Sequence, residues 1–235
     1  MSKAKDVTVV LTSCNRPDEL AVTLSSFFKH NTYPIAKFII IDDSGLHGCV
    51  DKCLRFIPST VEIVIVYNEN NIGQASSIDK AYSLVDTEYI FHCEDDWGFY
   101  DYGFIEKSME ILESNPRIFT VWLREYRHGR VVENGHPVLP SINDNLYRFL
   151  GVFQERTNIW CGFTFNPGLR RTADCMLLHP YSQYKDSTYC NCGGIEQALS
   201  NLYYRNGFVS AITLKDSGYV RHIGSHNSTQ GKYSE

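Results

Sequence analysis

The chain has 235 residues, of which 43% are hydrophobic and 21% are charged. This size and composition predict one globular domain over residues 1–235, with or without a small annex. The net charge of −5 argues against general affinity for nucleic acid, but it leaves room for a local basic pocket that holds a phosphate.

Apolar runs and cysteines bear on the compartment of the protein. No apolar run is long enough to span a bilayer, and residues 1–6 lack the apolar core of a signal peptide. The eight cysteines do not show the paired spacing of a zinc site and are expected to be reduced. We therefore expect a soluble, cytoplasmic protein with no transmembrane segment. The sequence could also be a fragment of a longer chain.

Four short apolar runs dominate the first hundred residues. They do not alternate with polar residues, which predicts strands covered on both faces. Helical patterns between them begin at Pro17, near residue 50 and at Gly73. The order β-α-β-α-β-α-β predicts short parallel strands with right-handed crossovers. The four predicted strands cover residues 7–11, 37–41, 61–67 and 89–93.

The second half of the chain has a less regular pattern. Residues 124–158 are polar and predicted to be mostly loop, a kind of segment that often carries specificity. Helices are predicted over 101–113 and 173–178 and from Gly194 onward, and strands over 119–123, 159–165 and 209–214. Glycine-rich dinucleotide and P-loop motifs are missing after the first strand, which weakens both of those interpretations.

The strand over 89–93 ends in three consecutive acids, Glu94, Asp95 and Asp96. Adjacent carboxylates repel one another, so a purely structural role is disfavoured unless positive charge lies beside them. Ligands bind at the carboxyl ends of strands in open α/β sheets, and a hard divalent metal that also binds phosphate oxygens suits such a cluster. The alternative is an acidic strand-to-loop cap without a metal.

Four segments in fixed order resemble nucleotide-sugar glycosyltransferases of the GT-A fold, near family 2. They are residues 12–16, 42–45, 70–75 and 94–96. The acid motif is also similar to that of N-acetylglucosaminyltransferase I-type enzymes. The resemblance covers most of residues 7–110 and is thinner beyond 160. It implies an α/β GT-A-type fold with a mostly parallel central sheet flanked by helices. Residues 1–100 would bind the nucleotide sugar and residues 101–235 the acceptor.

The resemblance also implies residues for the donor. In it, Asp43 accepts a hydrogen bond from the base; the alternative for this carboxylate is turn and cap chemistry. Arg16 would donate to the diphosphate, or else be a solvated arginine at a helix start. The other implied donor-binding residues are Thr12, Cys14, Gln74 and Asp95.

A cation and a base complete what the resemblance implies. Asp96 would bind Mn²⁺ or Mg²⁺, with His222 approaching the metal or the diphosphate; His226 is the alternative histidine. Glu196, near the start of its helix, would be the base that deprotonates the acceptor, although Asp174 and Asp186 compete for that role.

The predicted function is therefore a metal-dependent, inverting glycosyltransferase. Its donor would be a nucleotide sugar, preferably UDP-linked, and its acceptor a hydroxyl group on a glycan or glycoprotein. The rival hypotheses are an inactive sugar- or nucleotide-binding module of the same fold and a nucleotidyltransferase on a related sheet.

Overall fold

A computed structural model of the chain describes residues 6–46, 48–125, 138–139, 146–150, 152–155, 158–185 and 194–224. The strands are β1 Val7–Ser13, β2 Lys37–Asp42, β3 Ile63–Tyr67, β4 Tyr89–Glu94, β5 Trp97–Phe99, β6 Ile118–Trp122, β7 Val138–Leu139, β8 Tyr147–Leu150, β9 Phe153–Glu155, β10 Asn158–Trp160, β11 Gly168–Arg171, β12 Val209–Thr213 and β13 Val220–His222. The α-helices are α1 Pro17–His30, α2 Gln74–Tyr82, α3 Phe104–Ser114, α4 Thr172–Met176 and α5 Gly194–Arg205. Two 3₁₀ turns cover Asp51–Phe56 and Tyr181–Tyr184.

The central sheet has the strand order β11-β4-β1-β2-β3. The pairs β1–β2, β1–β4 and β2–β3 are parallel, and β11 runs antiparallel to β4 at the edge. The four apolar runs predicted as strands thus form the parallel part of the sheet. Its strands end together at one edge, where the polar segments that follow them meet.

Helices cover both faces of this sheet. Alternate residues of one strand point to opposite faces, so Val9 packs in the cluster that contains α1 and α3, and Val10 packs in the cluster that contains α2 and α5. Burial on both faces explains why these runs lack alternation.

Three smaller strand assemblies come mainly from the second half of the chain, and one of them is the antiparallel pair of β9 and β10. A four-stranded sheet has the order β6-β12-β8-β7, with β12 parallel to β6 and antiparallel to β8. A two-stranded ribbon pairs β13 with β5 directly after the acid cluster, in the register His222 to Trp97. This ribbon brings residues from near position 220 beside the end of β4.

Two sequence predictions are wrong at the level of elements. The strand expected over 159–165 ends at Trp160, and the buried residues 161–165 follow as irregular chain. The helix expected from residue 101 begins only at Phe104, after Gly103. The strands β5, β11 and β13 were not predicted, nor were β7, β8 and β9 in the segment 124–158 that was expected to be mostly loop. The division into halves at residue 100 stays a prediction.

The six cysteines of the described ranges are free thiols, as expected; Cys190 and Cys192 lie outside those ranges. In the part of the chain that the structure describes, no helix is both long and apolar enough to cross a bilayer.

Candidate active site

The candidate site lies where β1, β2 and β4 end side by side. Parallel pairing places Ser13 beside Asp42 and Thr12 beside Glu94. The sheet therefore gathers, at one edge, polar residues that are distant in the chain, such as Arg16 and Asp96, which are 80 positions apart.

Asp95 is completely buried beneath the end of β1. Its carboxylate accepts hydrogen bonds from Ser13 Oγ at 2.9 Å and from the backbone N–H of Cys14 at 3.1 Å, and it forms an ion pair with Arg16. Burial raises the pKa of Asp95 to about 6, although the charge of Arg16 acts in the opposite direction. Asp95 thus fixes the loop after β1 onto the acid cluster.

Asp96 is the acid at which the two halves of the chain meet. Its Oδ2 accepts from Arg16 Nη1 at 2.6 Å and lies 3.1 Å from His222 Nε2. Burial acts to raise its pKa, but the hydrogen bond from His222 and the charge of Arg16 outweigh that effect and hold the pKa below its ordinary value. Its second oxygen, Oδ1, is buried and has no hydrogen-bond partner among the described residues.

Backbone contacts hold the Asp96 turn in place. The N–H of Ile223 donates to the Asp96 carbonyl at 2.9 Å. Gly224 packs so closely that a Cβ there would lie 2.5 Å from Asp96 Oδ2. On the other side, Thr23 Oγ donates to the Asp95 carbonyl at 2.7 Å and accepts from the Trp97 N–H at 3.0 Å. Helix α1 and strand β13 together therefore fix the positions of both aspartates.

Glu94 points toward the second half of the site. Its carboxylate accepts from the side chains of Gln74 and Trp97, the latter at 3.2 Å. Burial raises its pKa to about 8, and the negative charges of Asp96 and Glu196 add to the shift. Glu94 thus adjoins the acid turn and interacts electrostatically with the predicted base, Glu196.

Asp43 organises the loop that leads into α2. It is 4% exposed, and its oxygens accept from the backbone N–H groups of Ile72 at 2.8 Å and Gly73 at 2.9 Å and from Asn68 Nδ2 at 2.8 Å. Gly73 has φ 85°, a conformation that favours glycine, and it precedes the first residue of α2, Gln74. The turn chemistry that was the alternative for Asp43 is therefore present, and contact with a base stays a prediction.

The remaining residues implied for the donor lie at the same edge. Thr12 is 8% exposed at the end of β1. Cys14 is half-buried, and its Sγ accepts from Asn71 Nδ2 at 3.3 Å; burial raises the pKa of this thiol. Arg16 is a partly buried partner of Asp95 and Asp96 rather than a solvated helix-start arginine.

The candidate base, Glu196, approaches this edge from α5. Its Oε1 accepts from Thr164 Oγ at 2.9 Å and from the Phe165 N–H at 2.6 Å. Burial raises its pKa, which these two donors and the charges of Arg170 and Arg124 partly offset. The competitor Asp174 instead forms an ion pair with Arg171 at 2.9 Å. The competitors Asp186 and His226 lie outside the described residues.

We tested whether these side chains suit a divalent cation. No group of three or more His, Cys, Asp and Glu side chains is arranged around a metal position within the described ranges. The pair Asp96 and His222 is in contact, however, and the buried, unpartnered Oδ1 of Asp96 is a free ligand atom. Mn²⁺ and Mg²⁺ commonly take only one or two protein ligands and complete their shell with phosphate oxygens and water. The residues therefore fit such an ion.

Sequence reasoning missed two cations near the site. The guanidinium of Arg124 lies 5.2 Å from the centre of the Trp97 ring, whose other neighbour is the His222 ring at 5.1 Å. Arg170 is buried behind Glu196. Arg124 lies in a segment read as loop, and Arg170 lies in an unpredicted strand, so neither had a local signal.

Comparison with known proteins gives one family match. The sequence model described as glycosyl transferase family 2 matches residues 8–177. None of the curated proteins matches the chain.

Solved structures give the same fold. One is a mannosyltransferase, PcManGT, from Pyrobaculum calidifontis in complex with GDP-Man and Mn²⁺, with a TM-score of 0.61, 12% identity and 93% of this chain covered. Another is TarS from S. aureus, with a TM-score of 0.60, 16% identity and 92% of this chain covered. The chain spans only 59% and 36% of those two proteins, respectively. These likenesses confirm the predicted α/β GT-A-type fold.

Proposed function

Because this chain belongs to glycosyl transferase family 2, we propose that it transfers a sugar from a nucleotide-sugar donor to a hydroxyl group on a glycan or glycoprotein. The match over residues 8–177 confirms the predicted family, and the chain carries a glycosyltransferase domain of that family. Our proposal goes further than the family: it names the reaction, the inversion of configuration, the cation and the substrates.

One observation carries the proposal. Asp96 is held by Arg16 and His222 with Oδ1 left unpartnered, in a buried turn next to Glu94. Glu94 in turn lies within electrostatic range of Glu196. A carboxylate with a free oxygen, the Arg16 guanidinium, the His222 imidazole and a candidate base therefore share one edge of the sheet. Diphosphate departure and acceptor deprotonation require such groups on opposite sides of a sugar.

Each of these residues has a separate role in the proposed reaction. A divalent ion, when bound, supplies charge that stabilises the departing diphosphate. Asp96 and His222 are the residues that hold it, and Arg16 donates hydrogen bonds to phosphate oxygens. Glu196 takes the proton of the acceptor hydroxyl as that oxygen bonds to the anomeric carbon. The bond from that carbon to the diphosphate oxygen breaks in the same displacement, which inverts the configuration.

The hydrogen bonds of Asp43 support a preference for UDP-linked donors. Two N–H groups already bind Oδ1, and one binds Oδ2, which leaves a single acceptor site on Oδ2. Uracil offers one ring N–H, which matches that site, whereas guanine offers a ring N–H and an amino group together. The Pyrobaculum mannosyltransferase was solved with GDP-Man, so GDP-sugars form the second arm of the test.

The test measures release of nucleoside diphosphate from UDP- and GDP-sugars in Mn²⁺ and in EDTA. We expect Mn²⁺-dependent release from UDP-sugars by the unmodified protein, and loss of that release in Asp96→Asn. Asp174→Asn is the matched control, because Asp174 is ion-paired with Arg171 instead of facing the site. Glu196→Gln should abolish transfer, and the anomeric configuration of the product reports inversion.

Each contrary result has a defined meaning. Binding of a nucleotide sugar without turnover would identify the inactive module, and transfer of a nucleotidyl group would identify the nucleotidyltransferase. Equal activity in EDTA and in Mn²⁺ would contradict the proposed need for a divalent cation. Full transfer by Glu196→Gln would show that Glu196 is not the base, and faster release from GDP-sugars would contradict the proposed preference for UDP-linked donors.

A further inference from the structure

Arg170 is a guanidinium buried in the interior of the protein. It lies on β11, the edge strand that pairs with β4, and it is 0% exposed. The rings of Phe119 and Phe163 flank its charged carbon at 5.7 and 5.5 Å. A charge in such surroundings is costly unless hydrogen bonds and an opposite charge offset the loss of water.

No carboxylate forms an ion pair with Arg170 in the described ranges. Its Nη1 donates to Tyr82 Oη at 2.9 Å, its Nη2 donates to the Thr164 carbonyl, and its Nε is buried without a partner. The guanidinium is therefore held by neutral oxygens, and its charge must be balanced from further away.

Hydrogen bonds connect Arg170 to Glu196 through one residue, Thr164. Arg170 binds the carbonyl of Thr164, and the hydroxyl of the same residue donates to Glu196 Oε1 at 2.9 Å. The next residue, Phe165, donates its N–H to the same oxygen at 2.6 Å. The Thr164–Phe165 turn thus lies between a buried cation and the carboxylate: its Thr164 carbonyl binds Arg170, and its Thr164 hydroxyl and Phe165 N–H bind Glu196.

The charges facing Glu196 come from three other elements. Arg170 on β11 and Arg124 after β6 favour the carboxylate, whereas Glu94 at the end of β4 opposes it. Of the two cations, Arg170 is the one that also binds the turn that holds Glu196.

We propose that Arg170 is a positioning residue for Glu196, which fixes the Thr164–Phe165 turn against the carboxylate and supplies the positive charge behind it. Only the expected effect on transfer rests on the proposed function, because the contacts of Arg170 with the Thr164–Phe165 turn exist whether or not the protein turns over a substrate. The positioning role explains why an arginine occupies a fully buried position on an edge strand beside the site.

The enzymatic test is the pH dependence of kcat/KM for transfer. Arg170→Gln keeps a hydrogen-bonding group but loses the charge, so the midpoint of the acidic limb should rise by about one pH unit. Arg170→Lys should restore the midpoint. The control is Tyr82→Phe, which removes a hydrogen bond of Arg170 and keeps its charge; it should lower the free energy of unfolding and leave the midpoint unchanged.

A second measurement needs no turnover. Carbon-13 spectra of protein labelled at the glutamate carboxyl carbons follow the titration of Glu196 directly, with its signal assigned by its loss in Glu196→Gln. A Glu94→Gln background removes the neighbouring glutamate whose charge interacts with that of Glu196. The midpoint of Glu196 should rise in Arg170→Gln and in Arg170→Met, and return with Arg170→Lys.

The two tests separate the two proposals. Absence of transfer together with a raised Glu196 midpoint would overturn the proposed function and leave the role of Arg170 standing. An unchanged midpoint in Arg170→Gln, or an equal shift in Tyr82→Phe, would overturn the role of Arg170 whatever the activity.

Discussion

The Asp43 carboxylate offers a direct test of how the donor side of the site is built. In Asp43→Asn, one oxygen becomes an amide NH₂, so the N–H of Gly73 loses its acceptor and faces a donor. A buried N–H left unpaired costs about 1–3 kcal/mol, and the bonds from Ile72 and Asn68 lose the strengthening that a charged acceptor gives them. We therefore expect the free energy of unfolding to fall by about 3 kcal/mol, which for a chain of this size lowers the melting temperature by about 6–12 °C.

The assay is urea unfolding of the ligand-free protein, followed by far-ultraviolet circular dichroism. The adjacent Asp42 provides the matched control, because it is 2% exposed, accepts one backbone N–H from Ser44 at 3.0 Å, and has a second oxygen without a partner. Asp42→Asn can keep that one bond, so we expect a change within about 1 kcal/mol. Equal stability of Asp43→Asn and the unmodified protein, or an equal loss in Asp42→Asn, would refute the reasoning that Asp43 anchors the loop.

Three further predictions concern charge and space near the site. Burial, with the charge of Arg170, holds the pKa of His92 well below its ordinary value. The unfolded chain therefore gains a proton near pH 6.5 that the folded protein does not, so the contribution of His92 to stability falls below that pH by about 1.4 kcal/mol per unit, opposite in sign to the contributions of Glu94 and Asp95, whose pKa values are raised. In urea unfolding measured between pH 7 and 5, the slope of stability against pH should differ by that amount between His92→Phe and the unmodified protein. Arg16→Met leaves two buried acids without their guanidinium, so we expect a loss of about 3 kcal/mol in EDTA, part of which Mn²⁺ restores in the same unfolding assay. Gly224→Ala forces the Asp96 carboxylate to move, and displacements of about 1 Å cost about a hundredfold in rate, so nucleoside diphosphate release should fall by that order with little change in melting temperature.

Each of these predictions has a contrary outcome. If the slope of stability against pH is the same in His92→Phe and in the unmodified protein, a group other than His92 is responsible for it. An Arg16→Met protein that Mn²⁺ does not stabilise would argue against a cation at Asp96. Full activity of Gly224→Ala would show that the position of the carboxylate is not critical.

The parallel part of the fold was predictable because its signal is local. Residues 7–11 and 37–41 are apolar apart from Thr8 and Lys37, and such short runs between helical patterns are typical of strands buried on both faces. Polar residues directly after the strands then had to meet at one edge of the sheet, which is why Arg16, Asp43 and Asp96 were found together.

Apolar character alone could not distinguish a strand from a buried irregular segment. The run after Trp160 is buried, but its backbone pairs with side chains: Cys161 N–H donates to Ser200 Oγ at 2.7 Å, and the Gly162 carbonyl accepts from Trp122 Nε1 at 2.7 Å. The apolar residues of this run are therefore buried, but they do not form the strand that was predicted over 159–165. The roles of Arg170 and of the Trp97–His222 pairing depend on contacts between distant segments that no window of sequence contains.

The pairing of β13 with β5 also constrains the order of assembly. Asp96 and His222 are 126 positions apart, and Ile223 donates to the same turn. During synthesis the parallel strands can form while this partner segment is still inside the ribosome, so the acid turn must wait for closure of a very long loop. The cation position is therefore expected to be among the last parts of the molecule to mature, and a nascent chain that has released only the first hundred residues should expose its acids without the histidine that pairs with them.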